Sequence, residues 1–73
     1  MRKLLVWNTR VGSFYIAEHE GRFHPTFDDE SLGSYASIEQ AVDDLSCGHA
    51  FWVRGTDTSI LGIPDDPAEW HRV

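Results

Sequence analysis

At 73 residues the chain suffices for one domain and no more, and a domain of this size buries only about 60% of its unfolded surface. Twelve acidic residues against six basic ones leave a net charge of −6, which repels phosphate backbones and argues against direct nucleic-acid binding. A single cysteine excludes an internal disulfide, and a hydrophobic content of 41% argues against disorder.

Met1 leads into Arg2-Lys3-Leu4-Leu5-Val6-Trp7, but the apolar run stops at Asn8. It is too short for a signal-peptide core and far too short to span a bilayer. No membrane role is expected. With one cysteine and no leader, the expected location is the reducing cytoplasm. From Leu4 to Val11 the residues alternate as a strand, with Leu5, Trp7, Thr9 and Val11 on one face. Gly12-Ser13 reads as a tight hairpin turn, and Phe14 to His19 resumes the strand pattern. Glu20-Gly21 is a second turn, and Arg22 to Phe27 a third strand. A two-residue turn there sets His19 opposite Arg22, and His24 opposite Ala17 on the same face. Pro25 has no N–H to donate, so its strand belongs at a sheet edge or carries a bulge.

Asp28-Asp29-Glu30-Ser31 forms a charged, turn-forming tip. Leu32 to Ala36 follows as a short fourth strand, or as the second half of a bent third one. The next segment holds the firmest local signal. Ser37 and Gln40 have the spacing of a capping box, and Ile38, Ala41, Val42 and Leu45 fall on one apolar stripe. The spacing predicts a helix over about 38–46, stopped by Gly48 in a left-handed C-cap. His49 to Arg54 is a further strand or an extended cover, and Gly55 to Ser59 is loop. Ile60-Leu61-Gly62-Ile63-Pro64 forms an apolar clip. Asp66 then caps a single helical turn begun by Pro67, with Glu69 placed to reach back.

The expected architecture is α+β over one small domain, 1–73. An antiparallel meander of three or four strands carries one main helix on one face. The C-terminal segment covers the core through Ile60, Leu61, Ile63 and Trp70.

Chemistry-bearing residues are sparse. His19 and His24 on neighbouring strands could share a zinc ion, with Cys47 and His49 as further ligands. Structural zinc sites, however, present tightly paired ligands, and this spacing lacks them. Cys47 lies at a helix C-terminus, where the dipole and the neighbouring Asp43 and Asp44 oppose a thiolate. A small residue tucked under the helix end is the simpler reading. The acids at Asp28-Asp29-Glu30 lack the spacing and turn glycine of a cation loop. Gly33 and Gly48 belong to no phosphate-binding pattern. No catalytic residue, metal ligand or cofactor is therefore assigned.

One surface remains. Glu39 suits the helix N-terminus, whereas Asp43 and Asp44 stand where negative charge is least welcome. A solvated face would explain them as well. Together with Asp28, Asp29 and Glu30 they suggest an acidic surface for a basic protein partner. Trp52, next to Phe51 in an extended segment, suggests an exposed aromatic contact and allows a homodimer.

The chain resembles a group of short, uncharacterised bacterial proteins. The likeness rests on Val11-Gly12-Ser13-Phe14, on Gly33-Ser34-Tyr35-Ala36-Ser37 followed by Ala41-Val42-Asp43-Asp44-Leu45, and on Asp57-Thr58-Ser59-Ile60-Leu61-Gly62-Ile63-Pro64 with Glu69-Trp70. It spans nearly the whole chain and implies a self-contained bacterial domain, with no activity to carry over. The strand–strand–strand–helix order is also similar to small modules that bind double-stranded nucleic acid, but the acidic balance contradicts that function. The expectation is a non-catalytic protein-interaction module using the acidic helix face or the exposed aromatic. The alternatives are an acidic nucleic-acid mimic occupying a partner's basic groove and, less favoured, a metal or thiol enzyme.

Overall fold

The computed structural model describes residues 2–50, 52, 53 and 55–73. In chain order it contains β1 (Arg2–Thr9), β2 (Gly12–His19), β3 (Arg22–Phe27), β4 (Glu30–Ser31), α1 (Ile38–Cys47) and β5 (His71–Arg72), with 3₁₀ turns at Thr58–Ile60 and Pro67–Glu69. The strands make one antiparallel sheet in the order β4-β3-β2-β1-β5, and α1 packs on β3 and β2. The meander with a packed helix is as expected, but among the described residues the sheet has five strands rather than three or four. The added one, β5, pairs Arg72 with Leu5 and His71 with Val6. Two residues carry no alternation to read, so only tertiary pairing defines it.

Strand β2 is central, and its alternation positions the core. Phe14 and Ile16 are fully buried beneath α1. The register aligns Trp7, Phe14 and Phe27 in one row and Leu5, Ile16 and Pro25 in the next. Phe14 and Phe27 meet with ring centroids 4.9 Å apart and tilted, a favourable aromatic geometry. From above, α1 contributes buried Ala41, Val42 and Leu45.

The turns correct one reading and bear out another. The β1–β2 connection is Arg10-Val11, not Gly12-Ser13. Thr9 stabilises it: its Oγ accepts the Val11 N–H at 3.2 Å and donates to the Gly12 carbonyl at 2.9 Å. Gly12 instead opens β2 at φ 135°, where a Cβ would press within 2.9 Å of the Phe27 ring. Its glycine serves close packing. Glu20-Gly21 does make the second turn, with φ of 52° and 76°, the left-handed pair of a type I′ hairpin. It sets His19 opposite Arg22 and Ala17 opposite His24, as expected.

Asp28-Asp29 repeats this geometry at φ 52° and 62°, so the chain reverses early and the fourth strand is Glu30–Ser31 rather than Leu32–Ala36. Only Tyr35 of the expected strand pairs, bridging Phe23 through two bonds of 2.9 Å. The Pro25 carbonyl accepts the Leu32 N–H at 2.7 Å. In an antiparallel strand N–H and C=O point the same way, so the missing donor faces ground just beyond the end of β4.

The Ser37 half of the capping box is formed: its side chain accepts the Gln40 N–H at 3.2 Å. Helix α1 runs through Cys47 and closes at Gly48, φ 79°, as expected. Of the segment 49–54, Phe51 and Arg54 lie outside the described residues. The described part forms no strand, and Val53 bridges Thr56 across a turn. Thr58 is fully buried and donates its hydroxyl to the Leu45 carbonyl at 2.6 Å, fastening the loop to the last turn of α1. Ile63 and Trp70 cover the core as expected, whereas Ile60 is 59% exposed and does not. The short 3₁₀ turn that begins at Thr58 rotates Ile60 outward. Cys47 is likewise exposed rather than tucked beneath the helix. No helix among the described residues is long and apolar enough to cross a membrane.

Candidate interaction surface

Seven positions were suggested by sequence, and the fold distributes them over five places. Asp28, Glu30 and Trp52 share a cleft of about 460 Å³, completed by Phe27, Ser31, Leu32 and Val53. The β3–β4 hairpin contributes Asp28 and Glu30 to the lining, Asp28 from the left-handed turn at φ 52°. Opposite stands Trp52, 55% exposed, its Nε1 donating to the Gly48 carbonyl at 2.9 Å. The indole is thus fixed by the helix end while its face stays open to solvent.

Asp29 turns the other way. Its carboxylate lies 3.3 Å from Lys3 Nζ over a hollow floored by Ala17 and Thr26, and the same ammonium sits 4.5 Å from the Tyr15 ring centre. Glu39 borders a third groove with Ile38, Pro67, Trp70 and Arg72. Asp43 is exposed, and its Oδ1 lies 4.0 Å from Cys47 Sγ.

Asp44, the acid hardest to account for at a helix C-terminus, has a local reason. Its carboxylate lies beside the Tyr35 hydroxyl and 4.0 Å from His49 Nδ1, and its carbonyl accepts the His49 N–H at 2.8 Å. The Tyr35 ring folds over Gly33, where a Cβ would come within 2.8 Å of it. Burial, then the hydrogen bond and charge of Asp44, raise the Tyr35 pKa above its usual 10.0. The neutral phenol is therefore favoured in the folded chain. Tyr35 adds stability that is complete below pH 10 and declines as pH rises through its folded value. Tyr35→Phe is expected to lessen the loss of stability above pH 10 relative to the parent, as read from urea unfolding at stepped alkaline pH. Parallel pH profiles would refute the assignment.

Sequence reasoning missed Tyr35 and Leu32 and weighed His49 only as a metal ligand. Leu32 borders both the Trp52 cleft and a smaller one formed with Gly33, Tyr35, His49 and Ala50. The two hollows share Leu32, and Asp44 stands beside the Tyr35 and His49 of the second. The one legible signal was the Gly33-x-Tyr35 spacing, since glycine leaves room for the ring.

Among the described residues no three His, Cys, Asp or Glu side chains converge on a common point. Cys47 and His49 therefore do not join His19 and His24. Comparison with protein-family models, curated proteins and solved structures gives no match.

Proposed function

We propose that this chain is a small, non-catalytic protein-interaction module that takes a basic partner segment at the Trp52 cleft. The observation that carries the reading is Trp52 itself. A large aromatic held by a hydrogen bond yet more than half exposed forgoes much of the burial energy its ring could gain, and it lines an open cleft together with Glu30. An indole face flanked by carboxylate suits a lysine or arginine side chain, through cation–π and charge contacts. The exposed thiol of Cys47 supports a reducing compartment, the cytoplasm.

The mimic alternative needs carboxylates spaced like phosphates along a ridge. Several acids here have local duties instead: Glu18 pairs with Arg2, Asp29 with Lys3, and Asp57 and Asp66 cap turns. The interaction-module reading is therefore preferred.

Trp52→Ala is expected to weaken partner capture by roughly thirtyfold, the loss typical of an interface anchor, while leaving stability within about 1 kcal/mol. Quantitative affinity capture from lysate with the parent, Trp52→Ala and Glu30→Gln checks this. Proteins held by the parent, lost by both variants and released by salt would support the cleft. Captured proteins indifferent to both substitutions would overturn it.

A further inference from the structure

We infer that His19 and His24 form an open two-imidazole site for a late first-row transition-metal ion, of the copper or zinc class. It lies on the sheet face turned away from α1. Alternation places it there: His19 and His24 fall in the rows of Ala17 and Thr26, whereas Phe14, Ile16 and Phe27 point to the helix.

The geometry begins with a fixed tautomer. His24 Nδ1 lies 2.9 Å from the Gly33 carbonyl and 3.0 Å from Ser31 Oγ. A carbonyl only accepts, and the Ser31 hydroxyl spends its own proton on that carbonyl at 2.8 Å. Nδ1 therefore carries the hydrogen, and the lone pair is on Nε2. An imidazole held at one nitrogen by a carbonyl, with the other left basic, is the arrangement that second-shell contacts impose on metal-binding histidines.

The second imidazole is within reach. The His19 and His24 ring centres are 6.5 Å apart at 59°. Metal–nitrogen bonds of about 2.0–2.1 Å put each ring centre about 3 Å from a shared ion, so at a tetrahedral angle the two centres stand about 5 Å apart. Rotation of the exposed His19 side chain supplies the remaining approach. The local charge permits it: Glu20 sets a carboxylate 3.8 Å from His19 Nε2. The Arg22 guanidinium is drawn toward the Ser34 hydroxyl and carbonyl, at 2.9 and 3.0 Å. Water completes the coordination shell. Imidazole donors and the stability order of divalent ions make Cu²⁺ the tightest ligand, with Zn²⁺ below it. This is an exposed binding site, different in kind from a four-ligand structural zinc centre.

The test uses the folded chain and the metals alone. Histidine ring resonances are followed during Cu²⁺ addition, and Zn²⁺ affinity is measured by calorimetry. His19 and His24 are expected to broaden together at substoichiometric Cu²⁺, ahead of His49 and His71. His19→Asn and His24→Asn should each weaken Zn²⁺ binding at least tenfold, and His49→Asn should not. Asparagine keeps a donor toward the Gly33 carbonyl, so the β3–β4 loop is retained. Four histidines responding in parallel, or unchanged affinity in His24→Asn, would overturn the site.

Discussion

Trp70→Ala is expected to cost about 3–5 kcal/mol, the range for truncating a buried tryptophan. A chain of this length has a total stability of only about 4–11 kcal/mol. Trp70 is 5% exposed, packs at 6.5 Å against Trp7 and donates its Nε1–H to the Pro64 carbonyl at 3.1 Å. Truncation opens a cavity, leaves that carbonyl without its donor, and loosens β5, which begins at the next residue. Urea unfolding should show the midpoint falling sharply, with a fall in melting temperature of roughly 15 °C or more. A shift no larger than that of Trp52→Ala would mean that the C-terminal cover contributes little to the core.

Gly48→Ala is expected to cost about 2–4 kcal/mol, from two sources that reinforce each other. At φ 79° the backbone is left-handed, a conformation that L side chains adopt at a cost. A Cβ there would also collide with the Asp57 carboxylate. That carboxylate caps the turn at Thr58–Ile60 by accepting the Ser59 N–H at 2.9 Å, the bond that chiefly holds the Asp57 pKa below its usual value. Displacing it disturbs the turn that seats Thr58 against Leu45. Thermal unfolding of Gly48→Ala beside Gly55→Ala separates the two sources, because Gly55 shares the positive φ but has open space where its Cβ would stand. Equal losses in the two variants would remove the Asp57 contact from the explanation.

What could be read from the residues follows from where their information lies. The helix was legible because Ser37, the apolar stripe and Gly48 each act within one or two turns of chain. The Glu20-Gly21 hairpin was legible because a glycine at the turn is a local demand. Gly12 misled because its smallness answers the Phe27 ring on the neighbouring strand, fifteen residues on in the chain. Asp28-Asp29 hid a left-handed turn inside what read as a solvated tip, and β5 exists only through β1. The site followed the same pattern. Individual acids and Trp52 could be named, but the acid that seemed most in need of a partner, Asp44, proved to serve Tyr35. The tip acids divided between two faces of the sheet.

The position of β5 also bears on the order in which the molecule assembles. Strands β1 to β4 are joined by two-residue turns and can zip together from neighbouring chain, a fast process with little loop entropy to overcome. Leu5 finds Arg72 only after nearly the entire chain has been brought round. The closing of the β1 edge, with the docking of Trp70, is then the late event of folding. The same edge opens early in the native state, since two residues of ladder hold it and no tight turn ties β5 to β1, while β2 at the centre exchanges its amides last.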